Sequence, residues 1–272
     1  MTTPSTTPDL RGHTAVVLHA HPDDEAIFTG ITMRRLADAG ARVVLVCATD
    51  GDLGEALIPL RPHETLAGRR LLELERAGDI LGVDRLVLLG FRDSGLPGWP
   101  QNHHPMALMR QPVGTLSRRV AEIIEAEQAE MILHYDWRGI YRHPDHVAVH
   151  RIGRQAARLA RVTSYEATVD RTHLTRLGDN AHLVHAAARS TDVPFGLFPS
   201  EITVTLRATY AELSAKLAAI VTHASQVTGE AVAHATFPDA YRFEWYQRIG
   251  PPTVLEALTA EGIAVGSAPA RP

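Results

Sequence analysis

An α/β fold, with a mostly parallel sheet and helices on both of its faces, is what this 272-residue sequence predicts, from three observations. Short apolar runs rich in β-branched residues alternate with longer stretches of helical period. The first of these runs are almost uninterrupted, as in strands buried on both faces. At 45% hydrophobic and 21% charged residues, the chain can fill one large core. Such alternation gives parallel strands joined by right-handed crossovers, a Rossmann-like arrangement.

The elements follow in order. Residues 1–12 are polar and read as a flexible leader, ahead of a single domain over 13–272. Residues 14–20 are the first strand. A polar elbow then opens a helix through Ile27, Met33 and Leu36, which stops at Gly40. Residues 42–48 form a second strand. A helix from about Pro62 to Leu81, a strand over 85–89, a helix over 113–126 and a strand over 130–134 repeat the pattern. Pro144 suits the first turn of the next helix. Residues 163–168 and 201–206 read as further strands and 210–222 as a helix; 171–200 read as loop and short helix, and 236–250 stay unassigned.

Several classes are excluded. A net charge of -4 argues against a broad nucleic-acid surface. The single cysteine, Cys47, permits no internal disulfide framework and reads as buried and inert in its strand. The N-terminus lacks the apolar core of a signal peptide, and no run approaches the ~18 apolar residues needed to span a bilayer. A cytoplasmic protein with neither a nucleic-acid nor a membrane partner is expected.

Sheets of this kind bind ligands beyond the carboxyl ends of their strands. The segments there, 21–25, 49–55, 91–104 and 135–146, are dense in His, Asp, Gly and Trp, whereas the opposite loops are short and plain. After the first strand, His21-Pro22-Asp23-Asp24-Glu25 presents an imidazole and two adjacent carboxylates. Its bland alternative is an acidic helix start. After the fourth, His143-Pro144-Asp145-His146 enters a helix, and Pro-Asp also marks ordinary helix starts. If both loops converge on one ion, His21, Asp24 and His146 make a His₂Asp site with an open position, suited to Zn²⁺ and tolerant of other divalent ions such as Fe²⁺. Asp23 is then free to take a proton from a bound water.

These residues resemble those of the LmbE-like/PIG-L superfamily of zinc-dependent N-acetylglucosamine deacetylases, and the resemblance runs across nearly the whole chain. Residues 49–55 resemble its Gly/acid loop; Arg70, Glu73, Leu74, Ala77, Leu81 and Gly82 follow its helical pattern; 92–95, 135–146 and 216–226 match further signatures. The resemblance implies zinc on His21, Asp24 and His146, and Asp23 as general base. It implies His143 at the oxyanion or leaving amine, with Asp145 tuning it by a hydrogen bond, and Tyr141 near the oxyanion. Arg70 and Asp93 match positions that bind sugar hydroxyls. Each also has an ordinary reading: an Arg70–Glu73 ion pair, a turn at Asp93, packing at Tyr141. Trp99 and Trp137 could stack on a sugar or aglycone, although packing is the simpler reading. His103 and His104 read as solvated, and His223 as a helix-end or core residue.

The implied activity is removal of the N-acetyl group from an N-acetylglucosaminyl conjugate, a small-molecule glycoconjugate. Within the family the sequence resembles deacetylases of glycopeptide-antibiotic (teicoplanin-type) pseudoaglycones. N-acetylglucosaminyl inositol of the mycothiol pathway is the rival substrate, and a non-catalytic sugar-binding module the alternative without chemistry. A nucleotide-dependent enzyme is disfavoured: no Gly-x-Gly-x-x-Gly follows the first strand, and two carboxylates occupy the place of a pyrophosphate.

Overall fold

The computed structural model describes residues 8–232 and 235–259. Most of the expected leader, residues 1–7, lies outside them. Within 8–12, Leu10 is buried and its N–H donates to Ala39 O.

Seven strands form one mixed sheet in the order β3-β2-β1-β4-β5-β7-β6. They are β1 (Thr14–His19), β2 (Arg42–Thr49), β3 (Arg85–Phe91), β4 (Met131–Tyr135), β5 (Thr163–Thr168), β6 (Val204–Arg207) and β7 (Phe243–Ile249). The first five are parallel, as the alternation predicts; β7 runs antiparallel to both β5 and β6. β1 and β4 are buried along their whole length and β3 is a half-exposed edge. The unassigned stretch 236–250 supplies β7, and the expected strand over 201–206 is confined to β6 because Pro199 opens a 3₁₀ turn ahead of it.

The main helices are α1 (Asp24–Asp38), α2 (Leu66–Leu81), α3 (Val113–Ala126), the single turn α4 (Gly139–Arg142), α5 (Pro144–Ala160), α6 (Arg171–Leu177), α7 (Leu183–Thr191) and α8 (Tyr210–Thr222). α1, α2 and α8 pack on one another, and α3 packs on α5. α2 starts four residues later than expected because Thr65, not Pro62, caps it by accepting from the Gly68 N–H. Pro144 is the first residue of α5.

The strand order reverses between β1 and β4, which pair as Ala15↔Met131, Val16↔Ile132 and Val17↔Leu133. This switch point separates the loops that follow them, opening a crevice at the sheet's carboxyl edge. Both motifs of interest leave strands that flank it.

Candidate metal centre and active site

His21 follows β1, Asp24 opens α1, and His146 lies in the first turn of α5. All three are buried. His21 Nδ1 is 3.2 Å from Asp24 Oδ2 and 3.3 Å from His146 Nε2, and His146 Nε2 is 3.3 Å from Asp24 Oδ2. Three donor atoms thus form a nearly equilateral triangle. Ligands about 2.0–2.1 Å from a tetrahedral zinc are about 3.3–3.4 Å apart, so the triangle has the dimensions of three tetrahedral ligands. Two imidazole nitrogens and a carboxylate at this spacing, away from water, fit a divalent cation in size and donor chemistry.

The surroundings aim each donor. Asp24 Oδ2 accepts from the His21 backbone N–H (2.9 Å) and from Tyr135 Oη (2.7 Å), itself an acceptor from the Ala20 N–H. Burial would raise the Asp24 pKa, but His146 and His21 outweigh it and hold it well below the usual carboxylate range. The Tyr135 ring stacks on His146 at 4.1 Å. On its far edge, His21 Nε2 is 3.3 Å from Asp145 Oδ2 and 3.6 Å from Asp93 Oδ1. A proton on Nε2, donated to these carboxylates, leaves the Nδ1 lone pair facing the triangle. Among the described residues, His21, Asp93 and Asp145 also qualify as a cation-holding group, but the Nε2 proton accounts for that arrangement. His21, His143 and His146 form a second such group, placing His143 beside the triangle.

The expectation for Asp145 needs correction. Its carboxylate does not reach His143: it accepts from the Ser94 N–H (2.8 Å) and Oγ and faces His21. The hydrogen bond to His143 comes from the Asp145 backbone N–H, 3.2 Å from Nδ1, in the N-cap of α5. Nδ1 is thereby an acceptor, so the neutral ring carries its proton on Nε2. Burial, then His21 and His146, push the His143 pKa well below its ordinary value.

Arg70 also differs from expectation. It is buried and pairs with neither Glu73 nor solvent: it donates to Gly51 O (2.8 Å), Pro22 O (2.6 Å) and Asp23 Oδ2 (3.2 Å). It braces Asp23 and the 49–55 loop, while its Nε is buried with no partner among the described residues. Gly51 is required here, since a Cβ would lie 2.5 Å from the guanidinium carbon. Asp23 itself has φ 116°, in the left-handed region that side chains disfavour, and its N–H donates to Glu25 Oε2. Burial, opposed by Arg70, pushes its pKa up to about 6.

Asp93 is buried, bonds the Gly95 N–H at 2.8 Å and is held below the ordinary carboxylate range, His21 outweighing its burial. The Tyr141 ring stands 4.9 Å from that of His146. Trp99 is half exposed, over Gly95. Trp137, half exposed, lines a surface groove with Arg138 and Met109.

Other supporting residues carried no recognised task in the sequence. Glu25 Oε1 is 2.6 Å from His223 Nε2, both fully buried, so the helix-end histidine of α8 anchors the carboxylate that holds Asp23. Glu73 accepts from the Ser225 N–H and Oγ, and Gln226 donates to Glu55 O. Glu73, the 49–55 loop and 216–226 match family signatures in the sequence, but without a task for these side chains.

The chain matches the family model described as PIG-L: GlcNAc-PI de-N-acetylase over residues 16–157. It is 36% identical over 234 residues to a 1D-myo-inositol 2-acetamido-2-deoxy-alpha-D-glucopyranoside deacetylase of Acidothermus cellulolyticus, covering 78% of this chain and 79% of the relative. A protein of the same description from Thermomonospora curvata is 35% identical over 236 residues, 77% of this chain and 79% of its own length. Among solved structures, the antimicrobial reagent A40926 pseudoaglycone deacetylase superposes with a TM-score of 0.60 at 18% identity, covering 86% of this chain and 96% of the other.

Proposed function

Because the chain belongs to the PIG-L family of N-deacetylases, we propose that it hydrolyses the acetamide of an N-acetylglucosaminyl conjugate at the His21–Asp24–His146 triangle. The near-tetrahedral spacing of those three donors carries the reading. A divalent cation held there, zinc foremost, would polarise the acyl carbonyl and lower the pKa of a bound water toward roughly 7.

The chain's own groups do the rest. Asp23, kept basic near neutrality by burial and aimed by Arg70 and Glu25, accepts the proton of the attacking water. His143, with its proton on Nε2, donates a hydrogen bond to the developing oxyanion, and Asp23 passes the proton it took from water to the departing amine. Tyr141 stands on the same side as a second donor. Products are acetate and a free 2-amino sugar. Asp93 and Arg70, whose Nε is unpartnered, are the candidates for sugar hydroxyls.

For the aglycone, relatives at 35–36% identity over more than three quarters of the chain point to 1D-myo-inositol 2-acetamido-2-deoxy-alpha-D-glucopyranoside. The glycopeptide pseudoaglycone favoured by the sequence resemblance rests on a structural likeness at 18% identity, which speaks for the fold. We therefore take the inositol conjugate as the substrate and the pseudoaglycone as its rival. No helix among the described residues is long and apolar enough to cross a membrane; a water-soluble substrate met in the cytoplasm completes the reading. Acetate release by zinc-loaded protein, assayed on both conjugates, decides it. Turnover of the inositol conjugate is expected, and turnover of the pseudoaglycone alone would reverse the assignment. Zinc bound without hydrolysis of any N-acetyl sugar would favour a binding module instead.

A further inference from the structure

A groove of about 430 Å³ lies against α5, within the size range of small-molecule sites. The α5 residues that line it, Pro144, Val147, Ala148 and Arg151, recur at helical spacing and form one face. At about 100° per residue, His146 points roughly the opposite way, so the groove is separate from the triangle. Met109 and Val113 form its apolar wall, and Trp137, Arg138 and Arg142 close its end.

Its chemistry is specific. Three arginines line it, Arg138, Arg142 and Arg151, and no guanidinium of theirs hydrogen-bonds or ion-pairs with a carboxylate among the described residues. The Arg138 guanidinium lies 4.4 Å over the Trp137 ring, and its Nε is buried without a partner. Trp137 and Met109 stay 44% and 41% exposed, much for large apolar side chains. The charge imbalance extends along the chain: residues 137–162 hold six arginines against one carboxylate, the buried Asp145, in a protein of net charge -4. Unpaired guanidinium groups beside an apolar wall and an indole face complement an anion with an apolar body.

We propose that this groove is a second ligand site, for a small organic anion: a carboxylate, sulfonate or phosphate on a flat or aliphatic body. The anion takes the fork of Arg151 and Arg138, and the body lies on Trp137 and Met109. The site adjoins the loop that carries Tyr141 and His143, where the non-glycine residues Ile140 and Arg142 hold φ of 60° and 63°.

The test uses 2-naphthalenesulfonate as probe, titrated by calorimetry and by quenching of tryptophan fluorescence. Saturable one-to-one binding is expected, weakened about tenfold or more by Arg151→Ala and by Arg138→Ala, the cost of one charge-assisted pair. Both variants are checked for an unchanged thermal midpoint, and Arg142→Ala stands in if either fails to fold. The neutral 2-naphthalenemethanol and inorganic sulfate alone should each bind far more weakly. The proposal is overturned if the probe does not bind by about 10 mM, if the arginine variants bind it as the parent does, or if the neutral alcohol or sulfate binds equally well.

Discussion

Asp23 is held in a conformation that costs a non-glycine residue on the order of 1–3 kcal/mol. A buried carboxylate oxygen of Glu25, anchored by His223, keeps it there. Strain maintained at this expense marks a residue whose carboxylate must point one way. Asp23→Asn removes the base and leaves all three proposed ligands. It is expected to retain one cation per chain by metal analysis while acetate release falls by about 10²–10⁴ at pH 7. Near-parental turnover would show that another group takes the proton. His146→Ala should give the converse signature, a loss of bound metal by the same analysis; an unchanged stoichiometry would remove it from the ligand set.

Two elements depend on single contacts that local preference would not suggest. In α5, alanine at Gly153 would gain about 1 kcal/mol from helix propensity. Its Cβ, however, would strike the His134 imidazole, fixed by bonds to Tyr135 O and Ser164 Oγ. Overpacking costs about 1–3 kcal/mol, so Gly153→Ala should lower the urea midpoint rather than raise it. Lys216 of α8 is bonded to Glu244 of β7 at 2.7 Å, and both are buried. Glu244 also accepts from the Ile31 and Thr32 N–H groups and from Thr32 Oγ1, tying α1 to the sheet. Lys216→Met strands that carboxylate and should cost about 3 kcal/mol in denaturant unfolding, largely recovered when Glu244→Gln accompanies it.

These contacts also show what was legible beforehand. β1, β2 and β4 announce themselves because both faces are buried and their residues are uniformly apolar. β7 does not, because Glu244 interrupts its apolar run for a partner 28 residues away. α6 and α7, of seven and nine residues, are too short to display a period. At the site, the two motifs could be placed at one sheet edge from strand order alone. What Arg70 grips and which way the Asp145 carboxylate turns are tertiary facts with no local signature.

At the scale of the whole molecule, buried neutral histidines set the acid limit. Burial lowers His134 to about 3, helped by His150, and lowers His150 to about 4. Unfolded, both regain protons near pH 6.5, so the unfolded chain binds more protons and stability falls as pH drops through the window between 6.5 and 4. Glu166 opposes them: burial raises it to about 7 despite Arg154, so its native form keeps a proton the unfolded chain has lost, and stability falls as pH rises from about 4.5 to 7. Buried His19, His143 and His182 are lowered in the same sense as His134 and His150, and Asp23 is raised as Glu166 is; with the histidines in the majority, metal-free protein should lose stability on acidification from pH 6 to 5, read as a falling urea midpoint. A flat profile would mean that these imidazoles are solvated. Zinc added near neutral pH should raise the thermal midpoint, as a ligand bound only by the native state does.

The pairing of β1 with β4 at the switch point has one more consequence. The proposed donors come from residues 21, 24 and 146, so a growing polypeptide must be more than half made before the triangle exists. A cation cannot serve as a seed for its folding. It can only lock a sheet whose central strands have already found each other, and a chain truncated after α3 would keep two of the donors and none of the grip.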